Sequence, residues 1–165
     1  HQIIYVPGDT EFNESYATTV EREGLRRWMR STGQSNDVNQ EEENISRHQQ
    51  FVELVIAYQD RFDNIYKKDI ADHMKREQKT KLQSSLRHDF SLIENSWGEY
   101  GRYDAWFSAG LNNAQLSTVA SYNSLVPFFN EILHESGGDL NAFYAKVAEL
   151  AELDEAERDR RLGRN

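Results

Sequence analysis

At 165 residues, with 38% hydrophobic and 12% aromatic side chains, the chain is long enough to bury a core and too apolar for a disordered tail. Its net charge of -9 argues against sequence-independent nucleic-acid binding and against an anionic membrane surface, both of which need Lys and Arg. It has no cysteine, so no disulfide framework and no Cys-based zinc site, and no apolar run approaches the roughly 20 residues that span a bilayer.

The elements read as helices almost throughout. The short run Ile3–Val6, "IIYV", is the single strand-like signal. "VPGDT" is a turn, with Pro7 and Gly8 suited to its centre. Asp9 or Thr10 then caps a helix that runs to about Arg30, and "STGQSND" ends it. Residues 31–39 read as a polar loop. From about Gln40 to Lys67, Ile45, Val52, Val55, Phe62 and Tyr66 recur at helical steps. A break near Lys68–Asp72 precedes a second long helix to about Trp97, with Leu82, Leu86, Phe90, Ile93 and Trp97 on one face. "WGEYGRYDAWFSAG" reads as an irregular, packed aromatic connection. Further helices are expected at about Asn113–Ser124, from Pro127 to "SGG", and after Asp139, and the charged tail reads as weakly helical. The expected fold is all-α: one helical domain over residues 1–165, dominated by an antiparallel αα-hairpin.

On a helical wheel of about 100° per residue, the first helix gathers Tyr16, Ala17, Val20, Gly24, Leu25 and Trp28 on one side. Ser15, Thr19, Arg22 and Arg26 fall opposite. Asn13, Glu14 and Glu21 fall inside the apolar sector, Glu14 between Trp28 and Leu25. A carboxylate facing a core needs a cation or hydrogen-bond donors opposite it. An internal Arg or Lys would suffice.

The opening run "HQIIYVPGDTEFNESYATTVEREGLRRWM" resembles the predicted aminopeptidase family of bacterial zinc metallopeptidases. The similarity continues in "LNNAQLSTVASYNSLVPFF" (Leu111–Phe129) and "GGDLNAFYAKV" (Gly137–Val147), in the family's order. In that family the opening run follows directly on H-E-L-A, which would make His1 the second histidine of an H-E-x-x-H helix. The resemblance implies a zincin-like (gluzincin) C-terminal part, with Zn2+ held by His1 and by Glu14 of "FNESYA". Asn13 and Glu21 would orient ligands or nearby backbone. It also implies that the first His and the general-base Glu lie upstream, so that these 165 residues are a C-terminal fragment, inactive on its own. A peptide is the implied substrate. The implied location is periplasmic or lipid-anchored in a Gram-negative bacterium.

A zinc peptidase also needs a donor for the developing oxyanion, and Tyr103 and Tyr122 are candidates, although each also reads as a packed aromatic. Asn112 and Asn113 could bind substrate, or act as a helix cap and a buried amide. Glu21 and Asp104 could meet a free α-ammonium. His48, His73, His88 and His134 show no metal spacing and read as surface or edge residues. Two functions therefore stand: a zinc-dependent aminopeptidase in the parent protein, or a non-catalytic module that uses an acidic helical surface to bind protein. Neither reading includes nucleic acid or membrane contact by this segment. Oligomeric state is not readable.

Overall fold

A Pro-Gly pair turns the chain ahead of its first helix. Gly8 stands at φ 84°, and the Asp9 N–H donates to the Val6 carbonyl at 3.2 Å. This is the pattern of a type II turn, in which the third position needs a positive φ that glycine adopts without strain. The Asp9 carboxylate then accepts the Phe12 N–H at 3.0 Å, which satisfies one of the orphan donors of helix α1 (Thr10–Ser31). The computed structural model describes residues 3–33, 35–98 and 100–164, and of 35–39 the backbone alone.

After α1 follow α2 (Ser35–Lys67), α3 (Asp72–Asn95), α4 (Asp104–Ser108), α5 (Asn113–Asn123), α6 (Val126–Glu135), α7 (Leu140–Glu152) and α8 (Glu155–Leu162). No strand occurs among the described residues, so the chain is all-α, and the Ile3–Val6 run is extended but unpaired into a sheet. The loop expected at 31–39 is shorter, because α2 begins at Ser35. Ser, Asn and Asp are turn formers, but the same residue types also suit a helix start. The tail also differs from expectation. Asp154 accepts the Glu157 N–H at 2.8 Å and so starts α8 as a regular helix with buried Arg158 and Leu162.

The chain divides into two compact units: His1–Gly33 with Ser121–Asn165, and Gln34–Ala120. In the first, α1 packs on α6 and α6 on α7. Its core joins Ile4 and Val6 to Phe12, Tyr16, Phe129 and Phe143. Phe129 is fully buried, edge-on to Phe12 at 5.1 Å and to Tyr16 at 6.0 Å. The inward face of α1 keeps Tyr16 and Val20 of the wheel's apolar sector but is rotated from it. Ser15 and Thr19 are buried, whereas Leu25 and Trp28 are exposed. Both hydroxyls are satisfied: Ser15 Oγ accepts the Leu125 N–H at 3.2 Å, and Thr19 Oγ1 donates to the Ser15 carbonyl at 3.0 Å. Small, satisfied hydroxyls let the chain entering α6 lie close against α1, which a bulkier apolar face would prevent.

In the second unit, Phe51, Val55, Tyr58 and Phe62 of α2 share a core with Leu86 and Phe90 of α3. Partners pair in reverse order along the two helices: Lys75 Nζ donates to the Tyr66 carbonyl at 3.1 Å, Tyr58 Oη to Asp89 at 2.5 Å, and Trp97 Nε1 to Gln50 at 3.3 Å. Tyr103 and Phe107, at and beyond the start of α4, close this core, with Tyr103 stacked on Phe51 at 4.0 Å.

Phe129→Ala removes the ring that three other aromatics meet, and is expected to destabilise the first unit by about 3–5 kcal/mol. Ile3→Ser, at a position 74% exposed, should change stability by less than about 0.5 kcal/mol. Urea melts followed by helical circular dichroism check both.

Candidate functional site

The residues around the turn at Val6–Asp9 are tied together by polar side chains. Asn13, buried on α1, grips the main chain of Val6 from both sides. Its Oδ1 accepts the Val6 N–H at 2.9 Å, and its Nδ2 donates to the Val6 carbonyl at 2.8 Å. An amide carries a donor and an acceptor on separate atoms, so it can serve both polar groups of one residue at once. The segment from Ile3 to Val6 is thereby held beside the first turn of α1, with Ile4 and Val6 inward and Ile3 and Tyr5 outward.

Asp9 anchors the other end of the turn. Besides capping α1, it receives Arg158 Nε at 3.1 Å and Arg164 Nη1 and Nη2 at 2.9 and 3.0 Å. Arg164 Nε also lies 2.8 Å from Glu11 Oε2. Burial pushes the Asp9 carboxyl up. Arg164 and the Phe12 amide, with Arg158, outweigh burial and hold it below the ordinary carboxylate range.

Glu14 is half-buried and follows Asn13 directly, whereas Glu21 is exposed. The buried carboxylate of α1 is Glu23, which the wheel left unmarked. It receives Arg26 Nε at 2.8 Å and Arg27 Nε at 2.6 Å, while Arg27 also donates to the Gly138 carbonyl. Burial raises the Glu23 pKa, but the two guanidiniums lower it further, so it sits below its ordinary value. The internal-arginine solution foreseen for a core carboxylate is thus realised at Glu23. His1 lies outside the described residues, and its expected place as a ligand with it. Tyr122, on the last turn of α5, is exposed. The residues after it meet α1 on both sides of Glu14: Asn123 accepts from Arg22 at 3.0 Å, Ser124 donates to Glu11, and Leu125 bonds Ser15.

The remaining candidates belong to the second unit. Tyr103 is buried with its hydroxyl 2.9 Å from His48 Nδ1. His48 is therefore a half-buried partner of Tyr103 at the edge of this core, whereas His73, His88 and His134 are exposed. Asn112 Oδ1 accepts the Gln115 N–H at 2.9 Å, which makes it the cap of α5, and Asn113 receives Tyr66 Oη at 3.4 Å. Asp104 shares a hollow of about 470 Å³ with Glu94, Tyr100 and Gly101. Burial and then the Asp104 charge raise the Glu94 pKa above its usual value. Among the described residues, no three His, Asp or Glu side chains converge as a metal would require, and no helix is long and apolar enough to cross a membrane.

A family described as "Putative aminopeptidase" matches residues 1–162, and the chain belongs to that family. The family's name puts it among the peptidases. No curated protein matches the chain, and no solved structure does.

Asn13→Ala leaves the buried Val6 N–H without a partner and the Val6 carbonyl with the Asp9 N–H alone, and is expected to cost about 2 kcal/mol. Amide hydrogen exchange at Val6 should accelerate ahead of global unfolding. For Asp9 the folded pKa is depressed, so its stabilisation is whole above the unfolded value of 3.8. It is lost as pH falls through the folded value. The stability gap between wild type and Asp9→Asn, read from urea midpoints, should be widest near neutrality and close below that pH. A gap that stays constant to pH 2 would contradict the ion-pair assignment.

Proposed function

We propose that this chain carries part of the zinc site of an aminopeptidase, with Glu14 as one ligand and His1 as another. The observation that carries this reading is the Asn13 grip on Val6. It fastens the segment that follows His1 to the helix turn that bears Glu14. Glu14 is half-buried on the same turn of α1 as Asn13. The residue types also fit the metal: an imidazole and a carboxylate are two of the three protein ligands that a catalytic zinc takes, the fourth position being kept for water. On this reading the other histidine and the general base come from residues outside these 165, as H-E-x-x of an H-E-x-x-H helix.

Zinc, when bound, would acidify a water and polarise the scissile carbonyl. The chain's own residues do the rest of the work assigned to them here. Glu14 and His1 hold the ion, and Asn13 keeps the two segments in register. Tyr122 donates its hydroxyl to the oxygen of the scissile carbonyl as negative charge develops there. It is preferred over Tyr103 because the Tyr103 hydroxyl already meets His48, while the residues that follow Tyr122 contact α1 around Glu14. Only first-unit residues enter this reading; packing and capping account for Tyr103 and Asn112 as they stand. The substrate is a peptide with a free N-terminus, and the setting is the periplasm or a lipid-anchored position, as the family resemblance implies.

The test is zinc content by plasma mass spectrometry. The protein extended upstream of His1 should hold about one zinc per chain, falling sharply in Glu14→Ala. Residues 1–165 alone should not turn over aminoacyl substrates even with added zinc. Tyr122→Phe in the extended protein should keep its zinc and lose about 100-fold in kcat. Unchanged zinc content in Glu14→Ala would remove Glu14 from the site. An extended protein that binds neither zinc nor substrate would favour the interaction module instead.

A further inference from the structure

The C-terminal helix reaches back to the turn that joins the two proposed ligands. From α8, Arg158 meets Asp9 with both side chains about nine-tenths buried, at 8% and 10% exposure; its Nη1 also donates to the Leu153 carbonyl at 2.8 Å, which fixes its direction. Gly163 then ends α8 in the left-handed conformation, φ 71°, and the Arg164 N–H returns to the Asp159 carbonyl at 2.9 Å. That C-terminal motif needs a residue with little penalty at positive φ. It aims Arg164 at Asp9, where two parallel N–H···O bonds of 2.9 and 3.0 Å form the fork-to-carboxylate geometry unique to arginine. Asp9 holds the turn to Val6, Asn13 holds Val6 to α1, and Glu14 is the next residue. A rigid path of hydrogen bonds therefore runs from α8 to both sides of the turn.

We infer that α8 is a clasp for metal binding: Arg158 and Arg164 are positioning residues that keep the His1 segment in register with Glu14. This rests on the zinc reading above. The two arginines act through Asp9. Outer partners of this kind tune affinity without being ligands, typically by 10–100-fold when removed. The clasp also gives α8, a short and strongly charged helix, a purpose beyond covering the core with Leu162.

The test uses the protein extended upstream of His1, with two readouts: zinc affinity by chelator competition, and hydrogen exchange at the Val6 amide. Asp9→Ser keeps a hydroxyl to cap α1 but removes the carboxylate. Arg164→Ala removes the fork. Gly163→Ala leaves every charge in place but strains the turn that aims Arg164. Each should weaken zinc binding about tenfold and speed Val6 exchange, and Asp9→Ser with Arg164→Ala should be no worse than the weaker-binding single variant. Val147→Ala, a core truncation in the same unit that removes no charge or hydrogen bond of the clasp, should lower stability and leave zinc affinity unchanged. Equal losses in Val147→Ala would make the arginines merely structural and overturn the inference. So would faster Val6 exchange with unaltered zinc affinity. Should wild type bind no zinc while Val6 exchange still quickens in the variants, the clasp is physical but the metal reading has failed, and the positioning role fails with it.

Discussion

The N-terminal turn of the first unit leans on one residue. Asp9 sits where a turn becomes a helix, and it does three things at once: it caps α1, it closes the turn on Val6, and it receives two arginines from the far end of the chain. A carboxylate this enclosed would be costly alone. It is tolerated because four guanidinium and amide donors converge on two oxygens, which is also why its proton affinity falls despite burial. A clustered ion pair of this kind is worth more for register than for raw stability. It sets which residue of the N-terminal segment lies against which turn of α1, and the rest of the proposed site inherits that register through Asn13.

Much of the fold was legible because local chemistry and global packing agree. Pro7-Gly8 and Asp9 announced the turn and cap, Asp139 the start of α7, and the apolar steps from Val52 to Phe62 and from Leu86 to Phe90 marked the facing sides of α2 and α3. What failed, failed for identifiable reasons. The wheel for α1 ranked faces by hydrophobicity, but the helix buries Ser15 and Thr19, whose hydroxyls find partners, and exposes Leu25 and Trp28. Binary patterns cannot see a close approach made possible by small residues. The tail is a firmer helix than expected because its charge hid its caps: Asp154 with Glu157 three residues on, and Gly163 just past the end, are start and stop signals of a short, regular helix.

The candidate site was half legible. Asn13 stood out as a polar residue where an apolar one was expected, and it is buried and fully engaged with Val6. Glu23 was passed over, although its spacing to Arg26 and Arg27, three and four residues on, is the ordinary signature of a helix ion pair. The arginines that grip Asp9 could not have been found from spacing at all, since they lie 149 and 155 positions away. Contacts at that range carry no periodicity. His48 was similarly hidden, because its partner Tyr103 comes from the irregular aromatic connection after α3. The family match over residues 1–162 agrees with the class read from the opening run.

The claim on which the account turns is that Glu14 faces a metal. The most direct measurement is anomalous diffraction at the zinc edge from crystals of the protein extended upstream of His1. The account predicts a single strong peak with a Glu14 carboxylate oxygen and an imidazole nitrogen of His1 at about 2.0–2.2 Å. A zinc peak bound elsewhere, with the Glu14 carboxylate paired to an arginine or turned to water, would contradict it.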